Sequence, residues 1–167
     1  MATVVQTFQR GDFLFPSSNP AGCWGVQGTN NPVEGLSFDG TTQQTAFLAF
    51  LAQNYGSGNL TIDIEWYAAT ATSGGITFGA SLQAITPNTD TQDVETDGFA
   101  TEATASDTHL GTTGKRLHKF SITVSSLDSL ANVDACMLRL RRVPADAGDT
   151  MTGLCIVTRV TISYSDT

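Results

Sequence analysis

Apolar and polar residues alternate with a period of two along five stretches of this chain. From Leu60 to Ala68 the apolar set is Leu60, Ile62, Ile64, Trp66 and Ala68, with Thr61, Asp63, Glu65 and Tyr67 between them. Successive side chains of a strand point to opposite faces, so this pattern predicts a strand with one core face and one wet face. The same reading applies to Ile76–Ala84 (Ile76, Phe78, Ala80, Leu82 and Ala84 inward) and to His118–Val124 (Phe120, Ile122 and Val124 inward). It applies again to Cys136–Arg142, with Cys136, Leu138 and Leu140 inward and Met137, Arg139 and Arg141 outward. The last stretch, Leu154 to Tyr164, sets Leu154, Ile156, Thr158, Val160, Ile162 and Tyr164 against Cys155, Val157, Arg159, Thr161 and Ser163. No long stretch carries helical periodicity.

Thr45–Leu51 breaks the rule. Ala46, Leu48 and Phe50 lie on one face and Phe47, Ala49 and Leu51 on the other, so both faces are apolar. A strand of this kind is covered on both sides, within the fold or by a partner. A short helix competes, and the turn formers Asn54 to Asn59 favour the strand. The connections, such as Thr72-Ser73-Gly74-Gly75 and Asp146-Ala147-Gly148-Asp149, are rich in turn residues. Short strands at this spacing predict an all-β, two-sheet antiparallel sandwich of jelly-roll type. Met1 to Pro32 reads as an extended N-terminal arm with one short strand near Val4–Phe8, and residues 33–167 as the single sandwich domain. Asp90 to Asp107 reads as a long surface excursion with one edge strand.

Composition sharpens this picture. Charged residues make up only 14% of the 167, and neutral polar residues suited to strands and turns take their place. The net charge of −8 argues against nucleic acid and against an anionic membrane surface as partners. No segment reads as a signal peptide or a membrane span. The three cysteines, Cys23, Cys136 and Cys155, have no metal-type spacing and read as free thiols of a protein made in a reducing cytoplasm.

Candidate chemistry is sparse. Only two histidines occur, His109 in a loop and His118 at a strand start, and both read as surface or boundary residues. No Gly-x-Ser-x-Gly elbow or zinc-type spacing accompanies them. Asp63 and Glu65, about 7 Å apart on one strand face, are the pair a glycosidase would use, and a solvated face is the plainer reading. Asp90, Asp93, Glu95 and Asp97 could hold calcium but lack the EF-hand spacing. The expectation is therefore no catalytic residues, no cofactor and no metal. Charge is unevenly distributed: between Arg10 and Lys115 there is no Lys or Arg. Arg139, Arg141 and Arg159 point outward by the alternation, and with Phe47, Ala49 and Leu51 they form the candidate interface. Arginine suits such a role because its planar fork pairs bidentately with carboxylates. Acidic and basic surfaces on one chain could meet between copies, and a homotrimer is the expected assembly.

The segment Trp66 to Gly79, followed by Ala84-Ile85-Thr86-Pro87, Cys136 to Arg142, Ala147 to Gly153 and Val160 to Tyr164, resembles a recurring β-domain of tailed-bacteriophage structural proteins. The resemblance begins near Leu36 and runs to the end of the chain, and residues 1–32 lie outside it. It implies a virion protein without catalytic residues. The first expectation is a head decoration (cement) protein on the head surface, synthesised in the host cytoplasm. It would bind the major capsid protein as a homotrimer. A chain that begins with its own Met and carries no stalk favours that role over a tail fibre. The alternative is a tail-fibre, receptor-binding or carbohydrate-binding sandwich with a glycan receptor. Tyr67, Trp24 and Tyr55 are the outward aromatics such a module would need.

Overall fold

The computed structural model describes residues 2–167, and Met1, the first residue of the expected arm, lies outside the described residues. Among the described residues there are eleven strands: β1 (Thr3–Phe8), β2 (Phe13–Leu14), β3 (Gly22–Val26), β4 (Val33–Phe38), β5 (Thr45–Leu51), β6 (Tyr55–Ala68), β7 (Gly75–Ile85), β8 (Ala103–Thr108), β9 (His118–Val124), β10 (Ala135–Arg142) and β11 (Cys155–Asp166). They form two antiparallel sheets packed as a jelly-roll-type sandwich. The first runs β3-β4-β11-β6-β9, with β1 also on β11, and the second runs β2-β5-β10-β7-β8. The inward residues of β6 (Leu60, Ile62, Ile64, Trp66) meet those of β7 and β10 (Phe78, Leu82, Leu138, Leu140) in one core. Phe38 and Phe78 close it edge to face, with ring centroids 5.0 Å apart. Burying a run of such side chains stabilises the sandwich by about 1.5–3 kcal/mol for each.

Four expectations change. Residues 3–26 are not an arm standing off the domain. β1 pairs along β11 from Thr3↔Ser165 to Phe8↔Val160, and β2 and β3 join opposite sheets. Gly, Pro and Asn between these short strands hide them in the sequence. The alternation of β11 is not continuous, because a register shift against β6 falls between Val157 and Arg159. Cys155 and Val157 therefore join the main core, while Ile156 faces outward with Tyr67 and Ala69, packed against by Trp24, Val33 and Leu154. β7 has no wet face: Thr77, Ser81 and Gln83 are buried along with their apolar neighbours. Finally, of the two covers expected for β5, the fold supplies that of one face and leaves the other partly open. Ala46, Leu48 and Phe50 are inside, whereas Ala49 and Leu51 are exposed.

A buried charged pair sits at the core rim. Arg142, fully buried, forks onto Asp149 through Nε (2.8 Å) and Nη2 (2.7 Å). It also donates to the carbonyls of Phe38, Gly153 and Met151. A buried charge needs a partner and saturated hydrogen bonds, and this one has both. It fastens the 143–153 connection across the end of the sandwich.

Candidate functional site

The outer face of the second sheet gathers five of the six predicted interface residues. The register places Phe47 beside Arg139, Ala49 beside Met137 and Thr45 beside Arg141. Phe47, Ala49, Leu51, Arg139 and Arg141 thus share one surface. Arg159 does not join them, because β11 belongs to the other sheet. Alternation assigned its direction correctly but could not assign its sheet.

The 86–102 excursion folds back over this surface. Phe99 stacks on Phe47 at 5.7 Å, and the Arg139 guanidinium lies 4.8 Å from the Phe99 ring centre. Ala100 N–H donates to Leu82 O, and Gln83 Nε2 donates to Asp97 O. The Glu102 carboxylate occupies the space over Gly79 that any side chain would fill. There it accepts both Nε (2.5 Å) and Nη2 (2.8 Å) of Arg141, with Arg139 at 3.7 Å. Three of the four acids suspected of holding calcium bond their own loop: Asp90 accepts from Thr86 N, Asp93 from Glu95 N and Asp97 from Gly98 N. Among the described residues no three potential ligands gather as a metal site. What the excursion leaves open is apolar. Leu14 (54% exposed) lines one of two shallow hollows that share Gln83, Val94 (72%) and Met137, and Leu51 (48%) pairs with Ala135 at the edge of the other. Arg139 Nε is buried there without a hydrogen-bond partner.

The outer face of the first sheet is different. Lys119 Nζ lies 2.7 Å from Asp63, Ser121 donates to Asp63 at 2.5 Å, and Arg159 meets Glu65 at 3.4 Å. Burial pushes the Asp63 pKa up, but the Lys119 and Ser121 hydrogen bonds outweigh it and hold the carboxyl below its ordinary range. A glycosidase general acid needs the opposite shift, so Asp63 does not suit that task. Beside these pairs lies a cleft of about 400 Å³ lined by Val26, Val33, Glu65, Tyr67, Lys115, Leu117 and Arg159. A second hollow, lined by Gln9, Arg10 and Glu34, adjoins it through Val33 and Thr158. Tyr67 faces the cleft but is only 6% exposed, and Trp24 packs against the same small cluster. Burial raises the Tyr67 pKa, offset in part by the nearby Trp24 indole, whose own N–H finds no acceptor in good geometry. Tyr55, the third aromatic considered, packs against Tyr164 at 5.6 Å on the core side.

Among the described residues, six of the eight Lys and Arg side chains form ion pairs within the chain: Arg10, Lys119, Arg139, Arg141, Arg142 and Arg159. Much of the basic surface expected to meet acids of another copy thus pairs with acids of its own chain. The histidines are not surface residues either. His109 and His118 are buried, and their rings pack with Trp66. Burial first, and then the neighbouring His109, lower the pKa of His118. All three cysteines are free, and burial pushes the thiols of Cys136 (to about 12) and Cys155 up.

Sequence reasoning missed Leu14, Val94, Phe99 and Glu102 on one face, and Lys115, Leu117, Val26 and Val33 on the other. The one available signal was the presence of Val94 and Phe99 in an otherwise acidic, polar excursion.

No family model matches the chain, and no curated protein does. Among solved structures, it is similar to the family 11 carbohydrate-binding module from Clostridium thermocellum in complex with a mixed-linked tetrasaccharide. That likeness has 11% identity and a TM-score of 0.47, over 96% of this chain and 87% of the module. The C-terminal module of the laminarinase LamC from Zobellia galactanivorans gives 13% and 0.47, over 95% and 98%. A module of Cellvibrio mixtus lichenase 5A in complex with cellotriose gives 10% and 0.48, over 96% and 97%. The likeness is one of sandwich outline, and the ligands belong to those modules.

Proposed function

We propose that this chain is a non-catalytic structural protein of a phage virion that decorates the head shell. In this reading it docks the outer face of its second sheet on the major capsid protein and assembles as a trimer. The observation that carries the reading is the open apolar strip of Leu14, Ala49, Leu51, Val94 and Met137 on a small, acidic domain. Exposed apolar residues gathered on one face mark a contact surface, whereas scattered ones do not. The resemblance to phage virion domains supplies the kind of partner. Internal pairing of Arg139 and Arg141 means that apolar burial, not charge, drives the docking. The test is to mix the purified protein with emptied phage heads, sediment them and reconstruct the particle. Density at local three-fold positions with the second sheet against the shell is expected. Density confined to the tail, or failure to co-sediment, overturns the reading.

A second reading, glycan recognition, is favoured by the first-sheet cleft. Sugars present an apolar C–H face and a rim of hydroxyls, and here Val26, Leu117 and Tyr67 border Glu65, Arg159 and Lys115. Titration with soluble β-glucan and xylan oligosaccharides tests it. Saturable binding that weakens at least tenfold in Lys115→Ala is the expected result, and no binding at millimolar ligand ends this reading.

A further inference from the structure

The protein's two histidines form a buried unit that neither outer face uses. The His118 ring stacks on Trp66, with centroids 4.5 Å apart and planes 21° from parallel, and His109 packs 4.6 Å from His118. Asp107 at the end of β8 accepts the Trp66 indole N–H at 2.9 Å and so fixes the central ring. His109 organises the 109–117 connection. Its Nδ1 accepts the N–H of Gly111 at 3.0 Å, which leaves the proton on Nε2, 3.2 Å from Gly114 O. Its own N–H donates to the carbonyl of Gly74, where a φ of +95° admits glycine. His118 Nε2 is buried with no partner.

We infer that this pair is an acid-sensitive latch on the 109–117 connection, and that a proton on His118 releases the loop carrying Lys115 and Leu117 from the rim of the first-sheet cleft. On His118, a charge would stand in a dry site against Trp66. The charged groups facing the pair are Asp107 from β8 and Arg116 within the connection. Asp107 favours the imidazolium, and Arg116 and a charged His109 oppose it. β6 presents the neutral Trp66, the strand residue paired with His118. Burial dominates, so the closed form holds His118 below its ordinary value. Opening returns the ring to water and to a pKa of about 6.5. The open form therefore gains protons as pH falls below that value, and its population rises up to about tenfold per pH unit for each proton taken up.

The latch goes beyond the docking reading, and only its consequence for the cleft rests on the glycan reading. The experiment uses no ligand, so failure of the latch and failure of that reading are distinguishable. Amide exchange of residues 110–117, corrected for intrinsic rates, is measured at pH 7.5 and pH 5.0 beside the amides of β10. The opening constant of the loop is expected to rise about tenfold or more while β10 stays constant. His118→Phe keeps an aromatic ring on Trp66 and cannot take a proton, so its acid response should shrink markedly. A loop whose opening is the same at both pH values, or a His118→Phe protein that responds as the parent does, overturns the latch. Proton resonances of His118 in the unaltered protein give a check independent of the variant's folding, and a titration midpoint at or above the ordinary value also overturns it.

Discussion

The two outer faces of the sandwich are built from the same kind of alternating strands, yet they manage their side chains in opposite ways. On the first sheet, ion pairs between neighbouring strands (Asp63–Lys119 and Glu65–Arg159) lie in partial contact with water, beside an open cleft. On the second, a long excursion lies over the strands. It brings its own carboxylate, Glu102, to Arg139 and Arg141 and its own ring, Phe99, to Phe47, and it leaves an apolar strip uncovered at its edge. Charge of one sign along a sequence therefore says little about the surface it makes. The arginines of β10 read as docking groups in the sequence, but their carboxylate comes from within the chain. The residues that remain open for a partner on that face are apolar.

If both faces rest on one shared core, the largest losses come from the core. Trp66→Ala removes the largest fully buried side chain and should cost about 3–5 kcal/mol in urea denaturation. Arg142→Met leaves Asp149 buried and unpaired and should cost a similar amount, about 3–5 kcal/mol. Arg142→Met combined with Asp149→Leu should recover part of it, because the uncompensated charge is gone. A loss below 1 kcal/mol in the single variants would mean that the end of the sandwich is not held as described.

Next comes a direct contrast between the faces. Glu102→Gln breaks a bidentate pair over Gly79 and loosens the excursion, and should cost about 1–3 kcal/mol. Glu65→Gln removes a longer pair whose arginine side chain is 47% exposed, and should cost less than about 1 kcal/mol. Equal losses in chemical denaturation would erase the distinction drawn between a covered and an open sheet.

A smaller effect belongs to the acid limb. Asp39 is held at about 2, first by the Thr41 hydroxyl and then by the Thr42 and Thr41 amides. Asp63 is also lowered, by Lys119 and Ser121 against the opposing effect of burial. A carboxyl with a depressed folded pKa stabilises the fold fully above its unfolded value, near 3.8. That contribution is lost as pH falls through the folded value, which for Asp39 places the loss between about pH 4 and pH 2. Asp39→Asn and Asp63→Asn should each flatten the fall in stability over this window, measured by thermal melts at stepped pH. An unchanged slope in both would show that these turn and strand contacts do not outlast thermal motion.

Much of this architecture was legible in the sequence, and the exceptions share a cause. β6, β9 and β10 alternate without interruption, so their inward sets could be read directly. The Val157–Arg159 register shift inverts the first part of β11, and an inversion of that kind leaves no mark on a pattern of apolar residues. β7 misled because its polar residues face the excursion and the 143–150 connection: Thr77 bonds Asp146 and Ser106, and its N–H reaches Asp149. The histidines misled for the same reason, since neither a loop position (His109) nor a strand start (His118) says what packs over it. Of the candidate interface, the five residues on β5 and β10 came together because those strands are neighbours. Arg159 was lost because sheet membership is a long-range property. The partners that complete the site, Phe99 and Glu102, are held by contacts that local spacing does not encode.

The smallest effect on stability should accompany the largest effect on docking. Leu51 and Val94 are exposed and touch the fold through one side only. Leu51→Ser and Val94→Ser should therefore change the unfolding free energy by no more than about 0.5 kcal/mol. In a contact centred on the strip, the same side chains would be desolvated, where truncating a central apolar anchor costs about 2 kcal/mol or more. The paired variant should thus lose at least about tenfold in affinity for emptied heads while melting like the parent. A control on the other face, Lys115→Ala, should leave head binding intact. If the Leu51 and Val94 variants bind heads normally and Lys115→Ala does not, then the first sheet, with its cleft, is the contact face. The roles assigned to the two surfaces would then have to be exchanged, although the fold that positions them would stand.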